Sequence, residues 1–118
     1  EGQMEIAHEE KNGVVCIKLA GRLDAESAPL AETTVKGLMQ QGKSRLLFDL
    51  SGLDYISSAG LRVILLTVKG LQASKGKVVL SALTPYVREI FDVSNFSSII
   101  PITDSVDEGL KQFHHAGR

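Results

Sequence analysis

The sequence is poor in cysteine and in aromatic residues. Its 118 residues include one cysteine, Cys16, and no tryptophan, and aromatic residues make up 5% of the chain. A lone cysteine excludes a disulfide within the chain and a thiolate metal cluster, so we expect Cys16 to be a buried packing residue. With so few aromatic side chains, the hydrophobic core must consist mainly of leucine, isoleucine and valine.

The sequence also lacks long hydrophobic runs and an excess of either charge. No apolar run approaches the roughly 20 residues that a membrane-spanning helix needs, and the N-terminus shows no signal-peptide pattern. The 13 Lys and Arg residues and the 14 Asp and Glu residues leave a net charge of -1. Such a chain has no strong field to attract nucleic acid or an anionic membrane, so we expect neither as a partner. The length predicts that residues 1–118 form a single domain.

Hydrophobic periodicity and turn residues predict alternating strands and helices. Asn12 and Gly13 favour a type I′ turn, which joins two N-terminal strands in a hairpin. The short apolar segments 45–50 and 78–81 are typical of strands that helices cover on both faces. Residues 99–102 contain a proline and are expected to form a final edge strand. The predicted order, β-β-α-β-α-β-α-β-α, is an α/β fold with four helices and a small mixed sheet, in which parallel strands follow the N-terminal hairpin.

Loops, caps and one helix face complete this prediction. Residues 21–26 are expected to form a loop and residues 51–54 a turn. Three helices are predicted to begin at N-cap residues, namely Ser27, Thr84 and Ser105. Apolar residues at helical spacing predict the side of the second helix that faces the core: Leu61, Ile64, Leu65, Val68 and Leu71. This stripe leaves four residues off the core-facing side: Arg62, Val63, Leu66 and Lys69.

The residues that a serine hydrolase requires are poorly placed. Ser57 and Ser58 fall at a strand-to-helix turn, where a nucleophile elbow would lie, but the flanking pattern is not G-x-S-x-G. The three histidines, His8, His114 and His115, all lie near the chain ends. A Ser-His hydrolase is therefore disfavoured, and we expect no catalytic residue.

Metal and cofactor signals are weak. Asp49 and Asp54 flank the predicted turn, where they are either Mg²⁺ ligands or part of a plain surface turn, and the surface turn is the favoured interpretation. The adjacent His114 and His115 have no acidic cluster near them, which favours a solvated tail. No glycine-rich phosphate loop occurs. We therefore expect no metal and no cofactor, and the protein is not predicted to be an enzyme.

Ser57 and Ser58 admit two interpretations. Either serine can act as an N-cap, because a serine oxygen accepts a hydrogen bond from a free backbone N–H. Alternatively, one of them carries a phosphate, since the partial positive charge at a helix N-terminus tolerates an added anion. A phosphoserine adds a charge of about −1.5 to −2, which a docking partner would feel without any unfolding of the domain.

Three segments of the sequence resemble the signature elements of STAS domains. Residues 50–65, LSGLDYISSAGLRVIL, are most similar to the signature of bacterial anti-sigma factor antagonists. Residues 19–24, LAGRLD, resemble the family's G-x-L-D element after the second strand. Residues 83–92, LTPYVREIFD, resemble its S-P-x-V-x-x-x-F/L element. The three elements occur in the family's order and spacing, and the resemblance runs over almost the whole chain. The chain is therefore identified as a member of this family.

The resemblance implies a small sheet with four helices, and a phosphorylation switch. In this family the antagonist binds an anti-sigma factor, a serine kinase of GHKL-type fold, and thereby frees a sigma factor. The kinase phosphorylates the serine at the start of the second helix, which abolishes binding, and a metal-dependent serine phosphatase restores it. That serine corresponds to Ser58. Ser57 stands where the commonest motif has aspartate, and Ala59 where it has a second hydroxyl residue, so Ser57 is an alternative acceptor.

The resemblance and the helix pattern together predict a partner-binding surface around Ser58. Its residues are Asp24, Ser57, Ser58, Ala59, Arg62, Val63 and Leu66. The favoured interpretation places Val63 and Leu66 at the flank of the core, and the alternative makes them a small apolar patch beside Ser58, ringed by Arg62 and Asp24. The expected function is that of a cytoplasmic anti-sigma factor antagonist without enzymatic activity. The alternatives within the same fold are an unphosphorylated STAS subunit of a transport system and a ligand-sensing STAS module.

Overall fold

A computed structural model describes residues 3–116, except for the side chains of residues 115 and 116. Its strands are β1 (Met4–Lys11), β2 (Val14–Leu23), β3 (Arg45–Ile56), β4 (Lys77–Ser81) and β5 (Ile102–Thr103). Its α-helices are α1 (Ala28–Gln40), α2 (Ser58–Ala73), α3 (Pro85–Val93) and α4 (Val106–Ala116), and a short 3₁₀ helix spans Phe96–Ser98. The sheet order is β1-β2-β3-β4-β5, with β1 and β2 antiparallel and all later neighbours parallel. The α/β fold with a small mixed sheet, an N-terminal hairpin and four helices is therefore confirmed.

The order of the strands decides where the helices lie. Because the strands from β2 to β5 are added in one direction, crossovers of one hand place α1, α2 and α3 on the same face of the sheet. These helices form the main core with strand residues such as Ile17 and Phe48. The last helix, α4, packs on the other face, where Phe113 joins Leu47 and Val79. The middle of the sheet is thus covered on both faces, which explains the apolar runs in β3 and β4.

Local sequence signals predicted the hairpin and the helix starts correctly. Asn12 and Gly13 both have positive φ angles, 54° and 82°, as a type I′ turn requires. Ser105 caps α4, since its Oγ accepts a backbone N–H at 3.1 Å. Ser27 and Thr84 occupy the N-cap positions of α1 and α3, but neither side chain makes a capping hydrogen bond.

The strands β2 and β3 are longer than the sequence indicates. The predicted loop at 21–26 begins too early, because β2 continues to Leu23, and the predicted turn at 51–54 is wrong, because β3 continues to Ile56. The pairing between them shifts register twice, which marks bulges. Next to the predicted turn, Asp49 Oδ1 accepts the Ser51 N–H at 3.0 Å. Turn-forming residues therefore bend two long strands instead of reversing the chain, and both strands reach the start of α2.

The last strand is shorter than predicted. The sequence predicts a strand over 99–102, whereas β5 consists of Ile102–Thr103. Pro101 has no N–H to donate, and it contributes only its carbonyl, which accepts the Leu80 N–H at 3.0 Å. Regular pairing with β4 therefore begins after the proline.

The side of α2 that faces the core also differs from the prediction. Its buried residues are Gly60, Val63, Ile64, Thr67, Val68 and Leu71. Leu61 and Leu65 are only half-buried, so the predicted stripe is rotated, and the expectation that Val63 lies off the core-facing side is wrong. Thr67 takes a core position because its hydroxyl donates to the Val63 carbonyl at 2.8 Å. Since α2 packs against α1 as well as the sheet, its buried side is wider than the apolar stripe alone predicts.

Candidate functional site

The junction of β3 and α2 separates the roles of the two serines. Ser57 is the N-cap: its Oγ accepts the Gly60 N–H at 3.4 Å, and its own N–H donates to the Leu23 carbonyl at 2.9 Å. Ser58 is the first helical residue and is exposed. No hydrogen bond within residues 3–116 involves the Ser58 hydroxyl. Capping is therefore carried out by Ser57, and the exposed Ser58 has no hydrogen-bond partner for its hydroxyl in this part of the chain.

Gly60 holds the first turn of α2 against the sheet. The residue is buried, and a Cβ at this position would lie 2.8 Å from Leu23 O, 2.8 Å from Leu23 Cγ and 2.8 Å from Ile56 Cγ1. Leu23 and Ile56 are paired neighbours at the ends of β2 and β3. The first turn of α2 thus rests directly on the two strand ends, at a distance that only glycine permits.

Asp24 shapes the loop between β2 and α1. Its Oδ1 accepts the backbone N–H groups of Ser27 at 3.1 Å and of Glu26 at 3.0 Å. The Ser27 hydroxyl accepts the Asp24 N–H at 2.9 Å and donates to the Arg22 carbonyl at 2.7 Å. The Ser27 N–H, with smaller effects from the Glu26 N–H and the Arg22 charge, holds the pKa of the Asp24 carboxyl below its ordinary value. The Asp24 carboxylate is therefore engaged mainly with its own loop.

An open groove of about 380 Å³, here called the α1–α2 groove, lies beside Ser58. Its lining residues are Ala25, Ala28, Pro29, Glu32, Ser58, Ala59, Arg62 and Val63. The groove brings together four of the residues that the sequence places on the partner-binding surface: Ser58, Ala59, Arg62 and Val63. Val63 is 3% exposed and contributes only to the apolar floor, whereas Leu66 is 42% exposed and is not part of the lining. Asp24 and Ser57 are not part of the lining, but each directly precedes a lining residue in the sequence, and their hydrogen bonds position the segments that line the groove.

The sequence gives no sign of the α1 side of the groove. Ala28 and Glu32 are one helical turn apart and share a helix face. Nothing in the sequence, however, shows that this face adjoins α2. Glu32 pairs with Lys36 at 2.8 Å, whereas Arg62 forms no ion pair in the part of the chain that the structure describes. Of the two charged lining residues, only Glu32 therefore has an ionic partner within the described residues.

A stack of three side chains lies beside the same strand ends. The Arg22 guanidinium carbon is 4.1 Å from the Tyr55 ring centroid, and the nearly parallel Tyr55 and Tyr86 rings have centroids 6.3 Å apart. Arg22 Nε also lies 3.7 Å from Asp24 Oδ2. Arg22 and Tyr55 are register partners in β2 and β3, next to the pair that supports Gly60. Sequence reasoning missed this stack, since its members come from two strands and a later helix.

The cysteine and the described histidine side chains that the sequence singles out lie outside the lining of the α1–α2 groove. Among the described residues, no three His, Cys, Asp or Glu side chains lie together as a metal ion would require. Cys16 is buried as predicted, and burial raises the pKa of its thiol, which disfavours a reactive thiolate. His8 and His114 are exposed and do not line the α1–α2 groove, and the side chain of His115 lies outside the described residues. None of the described helices combines the length and hydrophobicity that crossing a membrane demands.

Comparisons with known proteins agree with the three motifs and with the fold. The STAS domain family model matches residues 5–109. BtrV, a candidate anti-sigma factor antagonist of Bordetella bronchiseptica, is 37% identical over 113 residues, which cover 96% of this chain and 97% of BtrV. The relationship therefore extends over nearly the full length of both chains.

Solved structures share the fold. An anti-sigma factor antagonist from Mycobacterium paratuberculosis matches with a TM-score of 0.85 at 22% identity, over 92% of both chains. The phosphorylated form of SpoIIAA, a Bacillus cell fate determinant, matches with a TM-score of 0.74 at 20% identity, over 92% of this chain and 99% of that chain. At these identities the two structures support the fold alone. Because the family match extends over residues 5–109, which include parts of every strand and the β3–α2 junction with Ser58, the chain belongs to the STAS domain family.

Proposed function

We propose that this chain is an anti-sigma factor antagonist that docks on its partner through the surface around Ser58. The partner in this proposal is an anti-sigma factor that is also a serine kinase of GHKL-type fold. One observation carries the proposal: the exposed Ser58 hydroxyl, without a partner in the described chain, lies on the lining of the α1–α2 groove. The similarity to BtrV over almost the whole length supports the same functional class.

We assign the phosphorylation to Ser58 rather than to Ser57. The sequence leaves both serines open, but the structure gives them different environments. Ser57 is half-buried and its Oγ already accepts a helix N–H, so a phosphate on it would disrupt the cap. Ser58 has neither restriction. A kinase can therefore reach Ser58 Oγ while α2 stays folded.

The proposed switch needs no catalytic group from this chain. The kinase transfers the γ-phosphoryl group of ATP to Ser58 Oγ: the bond from phosphorus to Oγ forms, the bond to ADP breaks, and the hydroxyl proton passes to a base of the kinase. A metal-dependent serine phosphatase then restores the serine by hydrolysis. In this proposal the chain acts as a substrate and binding module, not as an enzyme, and it works in the cytoplasm, where the kinase has access to ATP.

The charge of a phosphate is large for this chain. A phosphoserine contributes about −1.5 to −2, against a net charge of -1 for the whole sequence. If the partner covers the α1–α2 groove, the phosphate enters a partly dehydrated interface. A tenfold loss of affinity requires only about 1.4 kcal/mol, which one unmatched charge readily supplies.

Mass spectrometry tests the phosphorylation step of the proposal, and calorimetry tests the binding step. After incubation with the cognate kinase and ATP, we expect phosphate on wild type and Ser57→Ala, and none on Ser58→Ala. Phosphate on neither serine would eliminate the proposed switch.

The binding step has a matched control. Ser58→Asp should bind the unmodified kinase at least tenfold more weakly than wild type, with little change in thermal stability. Gln72→Glu adds the same charge to an exposed position near the other end of α2 and should bind like wild type. Equal affinities of Ser58→Asp and wild type would argue against an interface at Ser58.

A further inference from the structure

Arg62 is placed to meet a phosphate on Ser58. The two residues are one turn apart on α2, and both line the α1–α2 groove. Side chains at this spacing are neighbours on a helix surface, and an anionic residue N-terminal to its cationic partner is the more favourable order. A phosphate on Ser58 therefore falls within reach of the Arg62 guanidinium.

The other charged groups near the groove leave Arg62 available. Glu32, the remaining charged residue of the lining, pairs with Lys36 on its own helix at 2.8 Å. Arg22, the arginine beside the strand ends, is engaged by Asp24 and by the Tyr55 ring. Within residues 3–116 Arg62 forms no ion pair, so it can turn towards a new anion without breaking an existing contact.

We propose that Arg62 binds the phosphate of phosphorylated Ser58 within the same molecule and holds it over the α1–α2 groove. This inference rests on the proposed phosphorylation of Ser58. The guanidinium fork matches two phosphate oxygens, so the pair has a defined geometry rather than diffuse attraction. Phosphorylation then changes the docking surface in two ways. It adds a dianion to the groove, and it also makes Arg62, the one cation among the described lining residues, unavailable to a partner.

A titration of the phosphate tests this pair without any kinase. Phosphoserine is incorporated at position 58 during translation, and the second ionisation of the phosphate is followed by ³¹P NMR in the full chain. A nearby cation favours the dianion, so the phosphate in wild type should titrate about 0.3 pH units lower than in Arg62→Gln. Arg62→Lys keeps the charge but not the fork and should give a smaller shift from wild type than Arg62→Gln.

Lys69→Gln is the matched control. It removes the same charge from an exposed position further along α2, and its phosphate should titrate like that of wild type. Equal titration of the Arg62→Gln and wild-type phosphates, or an equal shift in Lys69→Gln, would overturn the proposal. Failure of the kinase to modify Ser58 would instead overturn the proposed function, because the titration uses phosphoserine already in place.

Discussion

Replacing Gly60 with alanine should destabilise the protein, although alanine is the better helix former. The structure supplies the opposing effect: a Cβ would lie 2.8 Å from the Leu23 carbonyl oxygen and 2.8 Å from the Ile56 side chain. The Leu23 carbonyl cannot retreat easily, because it accepts the Ser57 N–H at 2.9 Å. Overpacking typically costs about 1–3 kcal/mol, whereas alanine gains about 1 kcal/mol over glycine in a helix. Because three atoms would lie 2.8 Å from the added Cβ, the overpacking cost should fall in the upper half of this range, about 2–3 kcal/mol. After subtraction of the gain from alanine, we expect Gly60→Ala to lower the free energy of unfolding by about 1–2 kcal/mol.

Gly37→Ala is the matched control for this substitution. Gly37 lies within α1, and nothing lies within 4 Å of where its Cβ would be. The same change should therefore stabilise the protein by about 0.5–1 kcal/mol. Urea unfolding followed by circular dichroism gives both free energies, and each kcal/mol corresponds to roughly 4 °C in midpoint temperature for a domain of this size. A Gly60→Ala protein as stable as wild type, with Gly37→Ala stabilised as expected, would refute the close contact between α2 and the strand ends.

Four further substitutions separate packing, backbone strain and charge. Val63→Ala should lower the free energy of unfolding by about 1.5–3 kcal/mol because Val63 is a core residue. Leu66→Ala should change it by less than about 0.5 kcal/mol because Leu66 is exposed. Similar losses for the two variants in urea unfolding would contradict this difference in burial. Ala82 has a φ of 63°, a left-handed conformation that strains any residue but glycine. Ala82→Gly should therefore stabilise the protein by about 0.5–1 kcal/mol and raise its thermal midpoint. A lower midpoint would show that the strain is not relieved. The lowered pKa of Asp24 means that its carboxylate stabilises the fold above the ordinary pKa of 3.8, and that this contribution disappears as the pH falls through the lower folded-state pKa. Wild type should therefore lose more stability than Asp24→Asn between about pH 5 and about pH 2, and parallel losses in acid titrations of the two proteins would count against this role.

Much of the fold follows from local sequence signals. The Asn12-Gly13 turn, the helix starts and the apolar segments within β3 and β4 depend on a few neighbouring residues, and the structure confirms them. The errors arose where distant contacts compete with local preference. Residues 51–54 have turn chemistry, yet pairing with β2 over a bulge keeps them in a strand. The buried side of α2 is rotated relative to the predicted apolar stripe, because α1 supplies a second packing surface for this helix.

Some features of the candidate site could likewise be predicted from the sequence, and others could not. The position of Ser58 at a helix start could be predicted, because the motif and the strand-to-helix change are continuous in sequence. The division of roles between Ser57 and Ser58 could not, because it depends on which hydroxyl reaches a helix N–H. The Arg22–Tyr55–Tyr86 stack was likewise hidden, since its members come together only when β2, β3 and α3 assemble.

By itself, the sequence determined that this chain forms a mixed α/β fold and that a serine begins its second helix. These properties depend on composition and on local spacing. The tertiary structure alone decided which serine is exposed and that Glu32 and Arg62 line one groove beside it. It also showed that Arg62 is the cation one turn from Ser58 that has no ionic partner in the described chain. The reason is physical: burial and pairing are relations between segments, and packing sets them only after the segments meet.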